Sequence, residues 1–144
     1  MEIKNILLAS FAMASIAVNA QEETIKASEL PAPAVEFLST NFKDNAVKHV
    51  IKDSDKKKIT FEVTLADGTE VEFSQKGKWK EVDGKKKAIP TAYIPQTILD
   101  YIKTNYPKEQ ITHIDKGHRD YDVDLSNGLD LEFDLGGKFL RIDK

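Results

Sequence analysis

From Ile59 onward the chain alternates apolar and polar residues. Phe61, Val63 and Leu65 share one face of an extended segment, and Glu62 and Thr64 lie on the other. Ala66-Asp67-Gly68 interrupts the run as a turn, and Thr69, Val71 and Phe73 resume the inward face. Gln75-Lys76-Gly77 turns again into a strand over Lys78 to Val82. The pattern then recurs, because Tyr121 to Asp143 also reads as three short strands with two turns. Gly128 answers Gly68, Phe133 answers Phe73, Gly137-Lys138 answers Gly77-Lys78, and Phe139 answers Trp79. A period of this kind marks a chain made of repeats.

A helical pattern precedes each set of strands. Leu30-Pro31 opens the first, since a proline in the first turn gives up an N–H that would have no intrahelical partner. Ala34, Val35, Leu38 and Phe42 then fall at helical spacing, with Phe37 widening the stripe. Ile94-Pro95 opens the second. Ile98, Leu99, Ile102 and Tyr106 point inward there, Tyr101 lies beside them, and Pro107 stops the helix. Thr104-Asn105-Tyr106 matches Thr40-Asn41-Phe42, and Ile111-Thr112-His113-Ile114 matches Val47-Lys48-His49-Val50, both at an offset of 64. The later strands match at 60, so the second copy lacks four residues between Ile114 and Tyr121. The first copy carries the charged stretch Lys52 to Lys58 there, which reads as a solvated hairpin tip after a strand over Ala46 to Ile51. Gln21 to Glu29 reads as a loose polar lead-in, and Asp83 to Ala88 as a polar linker.

Each unit is thus one helix and four antiparallel strands, with the repeats at about 28–83 and 92–144. One helix on a four-stranded meander encloses little core. The expected fold is therefore α+β, a tandem repeat of αββββ units joined into an antiparallel sheet, with helices on one face and the other face open.

The first twenty residues stand apart from this pattern. Lys4, the apolar run Ile6 to Val18 and the small-residue ending Val18-Asn19-Ala20 predict a secretory signal peptide over 1–20, cleaved between Ala20 and Gln21. The run is short for a membrane span of about 20 residues. The mature chain, 21–144, is then one domain, periplasmic or secreted, with no membrane span. It has no cysteine, which excludes disulfides, thiol chemistry and thiolate zinc sites. The net charge of −3 and the absence of a basic stripe interleaved with aromatics argue against nucleic acid.

The ordered motifs carry a resemblance. They are Leu30-Pro31, Asn41-Phe42, Val63-x-Leu65-x-Asp67-Gly68, Glu72-Phe73, Gly77-Lys78-Trp79 and Val82-Asp83, answered by Ile94-Pro95, Asn105-Tyr106-Pro107, Val123-x-Leu125-Ser126-Asn127-Gly128, Glu132-Phe133 and Gly137-Lys138-Phe139. This resembles the PepSY-like family of exported bacterial proteins, related in shape to the β-lactamase inhibitor protein. The resemblance implies helices behind a curved sheet, and a protein partner that is secreted or sits in the cell envelope, possible inhibition included. Fold alone does not fix function.

The local chemistry is acidic. Asp120, Asp122 and Asp124 alternate with Tyr121, Val123 and Leu125, and Asp130, Glu132 and Asp134 alternate with Leu129, Leu131 and Phe133. Both apolar rows must face one core, so the loop between them is odd. Ser126-Asn127-Gly128 fits a three-residue turn with Gly128 left-handed. Asp124 then opposes Asp130, Asp122 opposes Glu132, and Asp120 opposes Asp134. Directly opposed like charges destabilise a ladder by up to about 1 kcal/mol per pair, so Lys116, Arg119, Lys138, Arg141, a bound cation or a basic partner should compensate. Three readings stand together: a solvated face that resists edge pairing, a partner surface, and a calcium site. For a partner surface the predicted residues are Trp79 as anchor with Asp122, Asp124, Asp130 and Glu132. For calcium they are Asp120, Asp122, Asp124, Asp130, Glu132 and Asp134, all in the second unit. No other cofactor is implied. His49 and His113 recur at matching positions but read as structural, and His118 as solvated. Nucleophile and phosphate-loop motifs are absent, so the chain reads as a non-enzyme.

Overall fold

A computed structural model describes residues 21–55 and 57–143. The leader predicted over 1–20, and Lys56 at the first hairpin tip, lie outside the described residues. The strands are β1 (Glu22–Ile25), β2 (Val47–Asp55), β3 (Lys58–Leu65), β4 (Glu70–Ser74), β5 (Trp79–Asp83), β6 (Ile111–Lys116), β7 (Asp120–Leu125), β8 (Asp130–Asp134) and β9 (Phe139–Asp143). All nine form a single antiparallel sheet whose spatial order is the chain order. Helix α1 (Ala32–Asn41) is inserted between β1 and β2, and α2 (Gln96–Asn105) between β5 and β6.

The alternation read from the sequence places the core. Val63, Leu65, Val71, Phe73, Val82, Ile114, Val123, Leu131 and Phe133 are fully buried on one face, under Ala34 and Leu38 of α1 and Ile98 and Ile102 of α2. An aromatic group locks each helix to the sheet. Phe37 meets Phe73 edge-on at 5.5 Å and stacks on Trp79 at 6.3 Å, while Tyr101 meets Phe133 edge-on at 5.5 Å and stacks on Phe139 at 4.6 Å. Such ring pairs contribute roughly 0.5–1.5 kcal/mol beyond their burial. The recurring asparagines end the helices, because Asn41 and Asn105 each donate from Nδ2, at 2.9 Å, to the carbonyl four residues back.

Three expectations need correction. The lead-in is not loose: Glu22–Ile25 pairs with Val50–Asp53 of β2, which gives its polar backbone ladder partners. The charged stretch Lys52 to Lys58 is mostly strand, with Asp53↔Thr60, Ser54↔Ile59 and Asp55↔Lys58 paired. The four extra residues of the first half thus lengthen the β2–β3 hairpin that supports β1. Val35 is exposed, being one residue around the helix from the buried Ala34–Leu38 stripe.

The β3–β4, β4–β5, β7–β8 and β8–β9 turns each use a glycine at positive φ, but the glycines differ in surroundings. A Cβ on Gly68 or Gly128 would meet nothing within 4 Å. On Gly77 it would come within 2.8 Å of Pro31 Cβ and 3.0 Å of Ala34 N, and on Gly137 within 2.9 Å of Thr97 Cβ. The β4–β5 and β8–β9 turns are therefore pressed against the N-termini of α1 and α2. Gly68→Ala and Gly128→Ala should each cost about 1–2 kcal/mol of backbone strain. Gly77→Ala and Gly137→Ala should add roughly 1–3 kcal/mol of overpacking. Urea unfolding of the four variants checks this, and equal losses would contradict the helix contact.

Candidate functional site

The face of the sheet away from the helices is organised as two rows of side chains running across the strands. Glu70 opposes Asp83, Asp83 opposes His113, His113 opposes Asp124, Asp124 opposes Asp130, and Asp130 opposes Asp143. One step along, Glu62, Glu72, Glu81, Asp115, Asp122, Glu132 and Arg141 follow one another in the same way. Asp120↔Asp134 begins a third row. The three β7–β8 pairings are those expected from the odd turn, and Gly128 is left-handed at φ 86°.

The rows extend beyond the second unit, where the sequence had placed all the acidic chemistry. Glu81 and Asp83 of β5 join them because β5 lies directly against β6, and within the second unit Asp115 of β6 and Asp143 of β9 fall in line as well. Cations serve the two halves unequally. In the first half Lys80 Nζ is 3.2 Å from Glu72, and Lys85 Nζ is 2.9 Å from Glu70 and 3.3 Å from Asp83. In the second half Arg141 donates to buried Glu132 at 2.6 Å. Lys116 lies instead on the covered side, 5.9 Å from the ring centroids of Trp79 and Tyr121.

Crowding moves the protonation equilibria. Burial, then the charges of Asp124, Asp122 and Asp143, push Asp130 up to about 6. Burial and neighbouring carboxylates also raise Asp122, Asp115 and Glu62. His113 is raised to about 8, chiefly by Glu81, whose own carboxyl is lowered in return. The imidazole sits between Glu81 and Asp124, with Nε2 3.5 Å from Glu81 Oε1 and Nδ1 3.3 Å from Asp124 Oδ2. His49, its sequence counterpart, is exposed, and His118 is exposed in the β6–β7 turn.

Trp79 is not on this face. A bulge between Glu72 and Phe73 pairs Phe73 with Trp79 but Glu72 with Glu81, so strand parity shifts at Lys80. The indole therefore packs on the helix side against Phe37, Tyr93 and Tyr121. Asp122, Asp124, Asp130 and Glu132 do lie together on the open face. Of the six carboxylates considered for an ion, Asp122 and Glu132 come together with Asp143, donor atoms within 4.8 Å of one another; Asp120, Asp124, Asp130 and Asp134 do not join that group. A second group, Glu81, Asp83 and His113, meets the same distance. The clue to Asp143 and to the β5 residues was strand adjacency, which alternation alone does not reveal.

The fold is thus α+β, with one sheet face covered by helices and the other open and charged. The chain belongs to the PepSY-like family, whose model, described as "putative beta-lactamase-inhibitor-like, PepSY-like", matches residues 59–141. A solved structure from Bacteroides thetaiotaomicron, described as a "putative calcium-regulated periplasmic protein", is 36% identical with a TM-score of 0.82, covering 85% of this chain and 97% of that one. Two from Bacteroides vulgatus are similar. One, described as a "putative periplasmic protein" from the DUF2874 family, is 35% identical, TM-score 0.82, covering 85% and 97%. The other, described as a "putative periplasmic protein of unknown function", is 34% identical, TM-score 0.81, covering 85% and 99%. No curated protein matches the chain.

The shifted groups set a pH dependence. His113 has a folded value above its ordinary 6.5, so its contribution is complete below 6.5 and is lost as pH rises through about 8. Asp130 is also raised, from 3.8 to about 6, so ionising it costs stability that sets in as pH rises through that window. Both effects make stability fall from about pH 5 to about pH 8. Asp67, held at about 2 chiefly by its hydrogen bond with Asn45, loses its contribution only at lower pH. Relieving one opposed like-charge pair is worth up to about 1 kcal/mol, so Asp130→Asn should raise the melting temperature near neutral pH by roughly 3–5 °C. It should also flatten the pH profile. A melting temperature that rises over that range would contradict the assignment.

Proposed function

We propose that the chain is an exported binding module that presents its acidic sheet face to a cationic surface on a secreted or envelope protein, as an inhibitor or regulator of that partner. The observation that carries the reading is the pair of acid rows crossing six strands, with few cations in the second half. The inhibitor-like description of the family and the periplasmic descriptions of the similar structures support it. On this reading the chain is not an enzyme, the leader over 1–20 directs export, and the two helix-plus-four-strand segments are copies of one unit. The contact residues are Asp122, Asp124, Asp130 and Glu132. Trp79 supports the face from behind rather than meeting the partner, since its ring lies among Phe37, Tyr93 and Tyr121.

A second reading, calcium binding, has its own observation. Asp122, Glu132 and Asp143 bring three oxygens within 4.8 Å, and a 36%-identical structure is described as calcium-regulated. Calcium takes about six to eight oxygens, so water or neighbouring carboxylates would complete the shell.

One preparation of the chain from Gln21 tests both. Capture from an envelope extract should be lost in an Asp122→Lys, Asp124→Lys variant that keeps its circular dichroism spectrum, and lost by the unmodified protein in high salt. Equal capture by the variant would sink the partner reading. For calcium, an ion that binds only the folded state raises stability by mass action. Millimolar calcium should then raise the melting temperature relative to EDTA, and Asp122→Asn with Glu132→Gln should abolish the rise. No rise in the unmodified protein rejects calcium.

A further inference from the structure

Independently of both readings, we propose that Glu81, Asp83 and His113 form a binding site for a divalent first-row transition ion, represented by zinc, at the seam between β5 and β6. The donor atoms of the three residues lie within 4.8 Å of one another. His113 Nε2 is 3.5 Å from Glu81 Oε1. A tetrahedral ion with bonds of about 2.0–2.1 Å spaces its ligand atoms roughly 3.3 Å apart, so the His113–Glu81 pair already stands near ligand spacing and Asp83, within 4.8 Å, closes the rest. The imidazole decides the class of ion. Calcium and magnesium select oxygen donors, whereas an imidazole nitrogen beside carboxylates suits zinc and its first-row neighbours.

The surroundings fit a ligand histidine. Ring Nδ1 is buried, makes no hydrogen bond, and faces Asp124 Oδ2 at 3.3 Å. A carboxylate that accepts the other ring N–H of a ligand imidazole fixes its orientation and raises its basicity, and Asp124 stands within reach of that role once the ring turns to align the bond. Asp83, His113 and Asp124 are successive cross-strand partners, so rigid backbone holds them in place. Lys85 stands 3.3 Å from Asp83 Oδ2 and is the group an ion displaces; it keeps Glu70, at 2.9 Å, as its partner. His49 has no equivalent set, since β1 ends at Ile25 opposite Val50 and places nothing across from it. Three protein ligands leave a fourth position on the open face for water or a donor from a docked protein.

Calorimetric titration of the chain from Gln21 with zinc chloride, near pH 7.5, tests the site. One zinc should bind, and His113→Gln and Glu81→Gln should each weaken it by at least about tenfold. Asp124→Asn should weaken it roughly 10–100-fold, the range for loss of an outer-shell partner. His49→Gln and His118→Gln should leave it within about twofold of the unmodified protein. Histidine nitrogen NMR on the unmodified protein should show zinc moving the His113 ring signals and sparing the other two. Excess calcium should not displace the zinc. Absence of saturation at about 1 mM zinc, retained affinity in His113→Gln, or shifts at His49 or His118 instead would overturn the proposal. The calcium test changes other residues and the partner test shares only Asp124, so the His113→Gln and Glu81→Gln titrations separate failure here from failure of either reading.

Discussion

Three residue pairs hold the two halves of this protein together. Glu81↔Asp115, Val82↔Ile114 and Asp83↔His113 join β5 to β6, and every other property of the sheet depends on that seam. Val82 and Ile114 are both fully buried, so the core runs without a break from one helix to the other. Gly84 N–H donates to Thr112 O at 2.8 Å and Ile89 N–H to Ile111 O at 3.0 Å, carrying the pairing past the strand end. The two polar pairs of the seam point to the other face, where Glu81 and Asp115 repel. Burial of Val82 and Ile114, each worth roughly 1.5–3 kcal/mol, outweighs a like-charge contact of about 1 kcal/mol or less. The seam therefore tolerates acidic residues on its outer side, and continuity of the core allows continuity of the acid rows.

One-sided coverage follows from connection lengths. Hairpin turns join most neighbouring strands, so only the β1–β2 and β5–β6 connections are long enough to hold a helix. Both helices cross the same face, each tied by its aromatic group and by a glycine turn pressed on its first residues. The uncovered face must then be polar to stay solvated, and charge there also discourages edge-to-edge pairing. Solvation alone does not require one sign. Alternating lysine and glutamate would serve as well and would add cross-strand attraction. Burial first, and neighbouring carboxylates after it, raise Asp130, Asp122, Asp115 and Glu62, so this face keeps like charges close together instead.

Much of this was legible in the chain. Period-two alternation located eight of the nine strands, the odd turn at Ser126-Asn127-Gly128 settled the β7–β8 register, and helical spacing with Leu-Pro and Ile-Pro starts located both helices. Three things were not. Strand β1 has only four residues, three of them exposed, so alternation could not reveal a pairing made by backbone alone. The bulges in β5 and β9 change parity inside a strand, which sent Trp79 and Phe139 to the helix side against a simple count. Adjacency of β5 and β6 is a contact across a helical excursion, invisible to local pattern. It decides that His113, unlike His49, has acids on both sides.

The two halves differ most where their chemistry is concentrated. Lys80 sits at the β5 bulge and reaches Glu72 at 3.2 Å; the residue at the matching bulge of β9 is Leu140, exposed on the edge strand. Glu132, the counterpart of Glu72, takes Arg141 instead and is buried by it. Lys85 answers Glu70 and Asp83, whose counterparts Asp130 and Asp143 are paired on β8 and β9, with Asp124 opposite Asp130 where the first half has Thr64 opposite Glu70. One residue past the bulge Arg141 stands where the first half has Glu81, so the two halves place the cation that answers this row at adjacent positions of the strand, Lys80 in one and Arg141 in the other.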